Sequence, residues 1–587
     1  LYAGAILTDV VNKGTISGTN NDIAGIAAEA EEGVELVRCG NEGKIICNGN
    51  QKSYIAGLIA ESGPITMEEC YNKGNIEIID IDNTKYVAGL IAYAKSTSSR
   101  KQTMTLTGCY NEGDIVGSAV VAGLIANTDA SGTVTNPLIL TECYNTGNIT
   151  ARPTKTQSST GAPTAGLVAL YTPGSKFTNC RNSGTISTTN INTGGITAYY
   201  KTTPKEDNPV VISNCHNTGT IESDGNNIGG IIAYSTDYTT TENCYNTAEL
   251  KGSFGIGGIA GYINGVTSTL KSCWNSGKVT IATNRGGGLV GLGSKGVVES
   301  SFNVGDVISL STEVGTDKTS GYGIGGLAGQ GTAVFTDCYN MGIVTGANQV
   351  GGLVGVPRSG HTQIIRCYNA GKIVAQSDEC GSLIGADLSD SYWNSENKVE
   401  SSYFVTDYGT HHNDTIGTTI TIAELAKTDM GNGWTAGDDY TLPIPTTQIS
   451  EPYALINAVT IAFAEGDSKN SITKDFFVGA PEGVNWTSSV ANISFSGFNA
   501  LFDDKECIGK ATLTATAGEL NKTFEINCNK PSGINDILNG KIVVKEVYYN
   551  TYGIEVPKPT SHDSNVYMVV RTYDDGTTDT LKFFNVK

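Results

Sequence analysis

The sequence predicts an all-β chain dominated by a parallel β-solenoid, expected to be right-handed and to run for about twelve coils. Three observations predict it. A phrase of the form Cys-x-Asn-x-Gly-x-Ile recurs along the first two thirds of the chain. A second phrase, of the form Val-x-Gly-Leu-x-Ala, follows each copy, as in VAGLIAY from Val87, IGGIIAY from Ile228 and VGGLVG from Val350. The composition fits as well: 73 glycines in 587 residues are about 12% against about 7% in ordinary proteins, while charged residues reach only 16%. Tight turns rather than surface charge set that balance.

The first phrase reads CYNKGNI from Cys70, CYNEGDI from Cys109 and CYNTGNI from Cys143. Counted by its asparagine it occurs twelve times, at Asn12, Asn41, Asn72, Asn111, Asn145, Asn182, Asn217, Asn246, Asn275, Asn303, Asn340 and Asn369, with neighbours 28 to 39 positions apart. A period of two puts Cys, Asn, Gly and Ile on one side and the intervening residues on the other, which is strand chemistry. Three positions before the Cys stands another apolar residue, such as Met67, Leu106, Leu140 or Phe177. A bend between the two turns both inward. Length varies only outside the phrases, so insertions such as 150–164 project as loops. One repeat cannot bury its inner face alone, so coils stack in register, about 4.8 Å apart, into a rod on the order of 60 Å long with capped ends.

Each recurrent position has a reading. The ten cysteines from Cys39 to Cys367, among them Cys70, Cys109 and Cys143, are expected to be small buried hydrophobes. Stacked Cβ vectors run parallel, which disfavours disulfides, and a straight column does not converge on a metal. Val10 and Ser301 occupy the same slot. The asparagines, Asn72, Asn111 and Asn145 among them, are expected to hydrogen-bond the turn and their equivalents one coil away. The position after each Cys carries Tyr71, Tyr110, Tyr144, Tyr245, Trp274, Phe302, Tyr339 and Tyr368, interrupted by Arg181 and His216. Such a stripe either stacks on sugar rings or stacks on itself, and self-stacking is favoured. The Gly-Leu strand is apolar on both parities, so loops, a partner, or close packing within the chain must cover it.

The paired phrases resemble the GLUG repeat of bacterial surface proteins, including the repeat region of immunoglobulin A peptidases, over roughly the first 390 residues. The resemblance implies adhesion or passenger roles outside the cell. None of His216, His361, His411, His412 and His562 begins the His-Glu-x-x-His helix that a zinc peptidase needs. Residues 389–447, with Trp393 and Trp434, look like the closing module of such an array, the two tryptophans sealing the last coil after a solenoid at 1–388. The alternating stretch at 448–530 resembles a bacterial Ig-like domain, in which Cys507 and Cys528 flank a hairpin and either pair as a disulfide or remain free. The tail, 531–587, is similar to the C-terminal sorting domain of type IX secretion substrates, although TSHDSN replaces the usual glycine phrase before VYMVV.

A balance of 38 basic against 58 acidic residues repels nucleic acid, and no run of about 18 apolar residues is present to insert in a membrane. The absence of a methionine at Leu1 is read as removal of an N-terminal segment. The expectation is therefore a non-enzymatic adhesin or structural protein, exported to the surface or exterior of a Gram-negative bacterium and bound to a host protein or glycan. The alternative is a carbohydrate-active enzyme or sugar-binding module on the same scaffold. Catalysis needs two carboxylates at a defined separation. The pairs Asp80 with Asp82, Asp378 with Glu379 and Asp503 with Asp504 are read as solvated turns. No cofactor is expected, calcium at such pairs being the one cation left open.

Overall fold

The computed structural model describes residues 1–446 apart from 20, 50–52, 80–84, 97–101, 129–135, 153–161, 313–321, 332, 358–361, 387–392, 394–395, 407–408, 410 and 436–441. Beyond them it describes 459–462, 471–473, 475–479, 484–496, 499–502, 507–517, 520–530, 543–549, 555–556, 566–573 and 578–584. The chain divides into two compact units, Leu1–Ile449 and Ser450–Lys587.

The first unit is a parallel β-solenoid. One coil runs through Thr66–Glu68, Tyr71–Asn72, Ile76–Ile78, Lys85–Ala88 and Ile91–Ala94. The next coil lies on it in register: Thr66 pairs with Thr105, Asn72 with Asn111, Ile76 with Ile115, Val87 with Val121 and Ile91 with Ile125. Repetition builds four parallel sheets of 13, 14, 21 and 11 strands. The sheet of 11 strands counts the complete coils, one fewer than the twelve sequence copies. The twelfth, around Asn369, ends instead in a single bridge between Ile384 and Val354.

The expected bend between the apolar residue and the Cys is a single left-handed residue immediately before the Cys slot. It is Asp9, Arg38, Glu69, Gly108, Glu142, Asn179, Asn214, Asn243, Ser272, Ser300, Asp337 and Arg366 in successive copies, with φ between 46° and 62°. Side chains other than glycine occupy that region at a cost of roughly 1–2 kcal/mol each, which the stacked coils on both sides must hold in place.

In cross-section the coil has two apolar lobes. One gathers the first-strand residues, the cysteines and the leucines of the second phrase, such as Leu106, Cys109 and Leu124. The other gathers the isoleucines after the first glycine and the Val or Ile before the second, such as Ile76, Val87 and Ile115. Between them lies a waist. A Cβ on Gly57 would sit 2.6 Å from the Asn72 side chain and 2.0 Å from the Gly89 carbonyl, so only glycine lets the second phrase close on the asparagines.

The second phrase is buried on both parities because it folds back on itself. Its outward residues, Ala88, Ala122 and Ala165 on one side and Ala126, Ala169, Ala198 and Ala233 on the other, form one apolar cluster in a crease between two sheets. In later coils the alanine becomes glycine, and a Cβ at Gly291 or Gly329 would meet the backbone of an adjacent strand at 2.3 or 2.5 Å. Close packing within the chain, rather than a partner, covers this strand.

Phe404 follows Asn369 in the asparagine sheet and ends that column with a buried ring. A short helix, Ile422–Ala426, is closed by a capping box between Thr421 and Glu424. Trp393 packs partly buried against the main core. Trp434 does not. It lies on the outer aromatic column, because the segment carrying it is tied there by a hydrogen bond to Asp337.

In the second unit, Cys507–Ala517 and Leu520–Lys530 form a long antiparallel hairpin, joined by Asn485–Ser488 in a sheet of three. Leu513, Ile526 and Val478 contribute to its core. The tail strands Val566–Tyr573 and Thr578–Phe584 pair antiparallel. Cys507 and Cys528 are buried free thiols. They are not directly opposite, Cys507 standing across from Lys530 and Cys528 from Gly509, but they are diagonal neighbours in one core, where burial and the Cys507 thiol push Cys528 up to about 12.

Candidate functional site

The asparagines form an unbroken internal ladder. Asn72 Nδ2 donates to Asn111 Oδ1 at 2.7 Å and to the Gly74 carbonyl at 2.8 Å. The same pair of bonds repeats from Asn12, whose amide reaches Asn41 at 2.7 Å, to Asn340, which reaches Asn369 at 2.8 Å. Aligned amide dipoles polarise one another in the same sense along the column. From Asn41 to Asn340 both amide N–H groups of every rung are satisfied inside the protein.

The cysteines are buried as expected, and they also close the bend. Cys70 Sγ lies 3.4 Å from both the Leu36 and Glu68 carbonyls, which share its one S–H, and Cys143 Sγ lies at the same distance from those of Leu106 and Thr141. Ser301 Oγ donates to the Glu299 carbonyl at 2.7 Å while accepting from the Cys273 amide at 3.0 Å. From Cys39 onward the slot holds a small side chain that donates two residues back, a property Cys and Ser share, while Val10 in the first copy makes no such bond. Burial pushes the Cys244 and Cys338 thiols up, which keeps them protonated. Among the described residues no three or more His, Cys, Asp or Glu side chains are placed to hold a metal ion.

The aromatic stripe is a ladder too. Ring centroids are 5.5 Å apart for Tyr71 and Tyr110, 4.8 Å for Tyr110 and Tyr144, 4.1 Å for Tyr245 and Trp274, 4.6 Å for Phe302 and Tyr339, and 5.0 Å for Tyr339 and Tyr368. The two interruptions continue the stack. The Arg181 guanidinium lies 4.2 Å from the Tyr144 ring, and His216 stacks on Tyr245 at 4.7 Å. Burial and the neighbouring Arg181 hold His216 down to about 4, so it is a neutral ring at physiological pH.

The stripe is not uniform. Trp274, Phe302, Tyr339 and Tyr368 are buried, whereas Tyr71, Tyr110, Tyr144 and Tyr245 are half-buried. Trp434 covers the far end, 5.7 Å from Tyr368 and 6.3 Å from Tyr339, and Tyr368 Oη donates to the Pro443 carbonyl at 3.0 Å. Trp274, Tyr339 and Tyr368 are thus removed from any ligand face. The open part is flanked by charge: Lys73 sits 5.3 Å from Tyr71 and 5.7 Å from Tyr110 and pairs with Glu112, while Tyr71 Oη donates to Glu42 at 3.2 Å.

A second group lies along the crease, where sequence reading placed nothing. Tyr54 stacks on Tyr93 at 4.7 Å and tilts against Tyr86 at 5.4 Å. Beside them Lys95 bridges Glu29 and Glu61. Burial, followed by Glu61 and Glu29, pushes Asp22 up to about 6 against the pull of Lys95. Further along the crease Tyr199, Tyr200, Tyr234 and Tyr262 make a third cluster. These residues come from strands outside the first phrase, so no motif signals them. Their one trace is a Tyr three places after Gly-Leu or Gly-Ile in some copies, as at Tyr93, Tyr234 and Tyr262.

Of the acidic pairs, Asp80 with Asp82 and Asp503 with Asp504 lie outside the described residues. Asp378 and Glu379 form a turn in which the Glu379 amide donates to Ser377 Oγ at 3.2 Å. Among the described residues no helix is long and apolar enough to cross a membrane.

Fold and site together define a parallel β-solenoid protein whose repeated residues form internal ladders. No family model matches the chain, and no curated protein or solved structure matches it either.

Proposed function

We propose that the chain is a non-enzymatic scaffold of the cell exterior, a stiff solenoid that holds out a variable binding surface. One observation carries the reading. The residues that recur in the copies are consumed in structure: the asparagines bond one another, the glycines admit carbonyls at about 2 Å from a hypothetical Cβ, and the cysteines bond the bend. A catalytic or metal-binding repeat keeps some recurrent polar group turned outward. Apart from the aromatic column, whose rings stack on one another, this one turns outward residues that change from coil to coil. The resemblance to GLUG repeats and to sorting-type tails supports export to the surface of a Gram-negative bacterium and an adhesive role toward host protein or glycan.

The half-buried rings of Tyr71, Tyr110 and Tyr144, with Lys73 above them, favour glycan stacking as a second reading. Binding of the purified chain to glycan and matrix-protein arrays, with Tyr110→Ala/Tyr144→Ala alongside, tests both. Adhesion to matrix protein that survives the double substitution supports the scaffold reading, and glycan binding lost with it supports the second. Turnover of any polysaccharide by the chain overturns the non-enzymatic reading.

A further inference from the structure

The covered end of the aromatic ladder shows what its outer face accepts. Asp337 and Arg366 occupy the left-handed bend position in consecutive copies. Arg366 Nε donates to Asp337 Oδ1 at 2.7 Å and Nη2 to Oδ2 at 2.8 Å, a bidentate pair. That pair leaves Oδ1 a free lone pair, and the Trp434 indole N–H donates to it at 2.7 Å while the ring leans on Tyr339 and Tyr368. A Cβ on Gly431 would lie 3.7 Å from Arg366 Cδ, so the segment carrying the tryptophan lies against the guanidinium stem.

The same pair occurs once more, in the same bend column. Asp9 and Arg38 are the bend residues of consecutive copies, with φ of 57° and 50° against 56° and 50° for Asp337 and Arg366. Arg38 Nε donates to Asp9 Oδ1 at 2.7 Å and Nη2 to Oδ2 at 2.9 Å. The backbone amides match as well, Asp9 bonding the Val37 carbonyl as Asp337 bonds that of Ile365. The ring is supplied differently: the aromatic position holds Val11 and Gly40, and Tyr71 from the next coil lies over Gly40, whose Cβ would fall 2.3 Å from Tyr71 Cζ. Exposure separates the two copies. Side chains of the covered pair are 34% and 15% exposed for Arg366 and Asp337, those of Arg38 and Asp9 49% and 64%.

We infer that Asp9, Arg38 and Tyr71 form an open docking site for a tryptophan presented by an extended segment of another polypeptide, received as Trp434 is received within the chain. Asp9 Oδ1 accepts the indole N–H, Arg38 fixes the carboxylate, and the Tyr71 ring takes the apolar face. This deepens the scaffold reading by naming one surface and one partner chemistry.

The test is fluorescence anisotropy of a labelled peptide of residues 429–446 titrated with the whole chain. Saturable binding is expected. It should weaken roughly tenfold in Asp9→Asn, the loss of one charge-assisted hydrogen bond, and similarly in Arg38→Gln or when alanine replaces the peptide's tryptophan. No saturable binding, or binding that survives Asp9→Asn but is lost in Asp337→Asn, overturns the inference, the latter by revealing exchange with the resident segment. A chain that binds matrix protein or glycan but not this peptide sinks the inference and leaves the scaffold reading standing.

Discussion

Replacing Asn145 by alanine removes one rung from the middle of the ladder. The side chain is fully buried, accepts from Asn111 Nδ2 at 2.7 Å and donates to the Gly147 carbonyl and Asn182 Oδ1 at 2.8 Å. Three bonds at about 1 kcal/mol each are lost, and the Asn182 oxygen is left buried without its donor at a cost of about 1–3 kcal/mol. The expected loss is about 4–6 kcal/mol. Unfolding of a stacked array need not be two-state, so the assay should be local: amide hydrogen exchange across residues 104–200, compared with the exposed neighbour substitution Thr146→Ala. Exchange should quicken in the coils on both sides of Asn145. If Asn145→Ala costs no more than Thr146→Ala, the ladder is an ornament and the reasoning is refuted.

Three further outcomes are expected. Glu142 holds a left-handed φ of 56° in a slot where Gly108 stands one copy earlier, so Glu142→Gly should stabilise by about 0.5–1 kcal/mol in denaturant unfolding and Glu142→Val should destabilise. A Cβ on Gly123 would sit 2.0 Å from the Gly166 carbonyl, so Gly123→Ala should cost about 3 kcal/mol or more, seen as a lower unfolding midpoint. Asp22 ionises near 6 when folded against about 3.8 when unfolded, facing Glu61, Glu29 and Lys95, so its raised value favours the protonated folded state. Its contribution should be fully present below about 3.8 and lost as pH rises to about 6, and the difference in unfolding midpoint between wild type and Asp22→Asn should vanish at low pH.

The text of the chain announces whatever recurs, because recurrence becomes stacking. Cys70, Asn72 and Ile76 point inward as period-two reading requires, and the bend before Cys70 falls where two inward residues three apart demand one. What the bend is made of was not legible. Asp, Arg, Glu, Asn, Ser and Gly share that position, since a left-handed backbone between two fixed coils is imposed by its surroundings and not by its side chain. The second phrase left its cover open for a related reason, although close packing within the chain was among its readings. Gly89 and Ala92 are small because a waist and a crease bring backbones together, and alternation says nothing about a fold whose outer face turns back on itself. The burial of Tyr339 and Tyr368 depends on a segment some 65 to 105 residues later in the chain, and the grouping of Tyr54, Tyr86 and Tyr93 with Asp22 and Glu61 depends on three coils meeting at a crease. Neither leaves a local pattern.

High-resolution electron density for the whole chain, read at Asn72, Asn111 and Asn145, examines the foundation most directly. The account predicts successive amides joined head to tail within about 3 Å, each also bonded to the glycine carbonyl two residues on. Density that places those three side chains in separate modules, each bonded only within its own repeat, would contradict it.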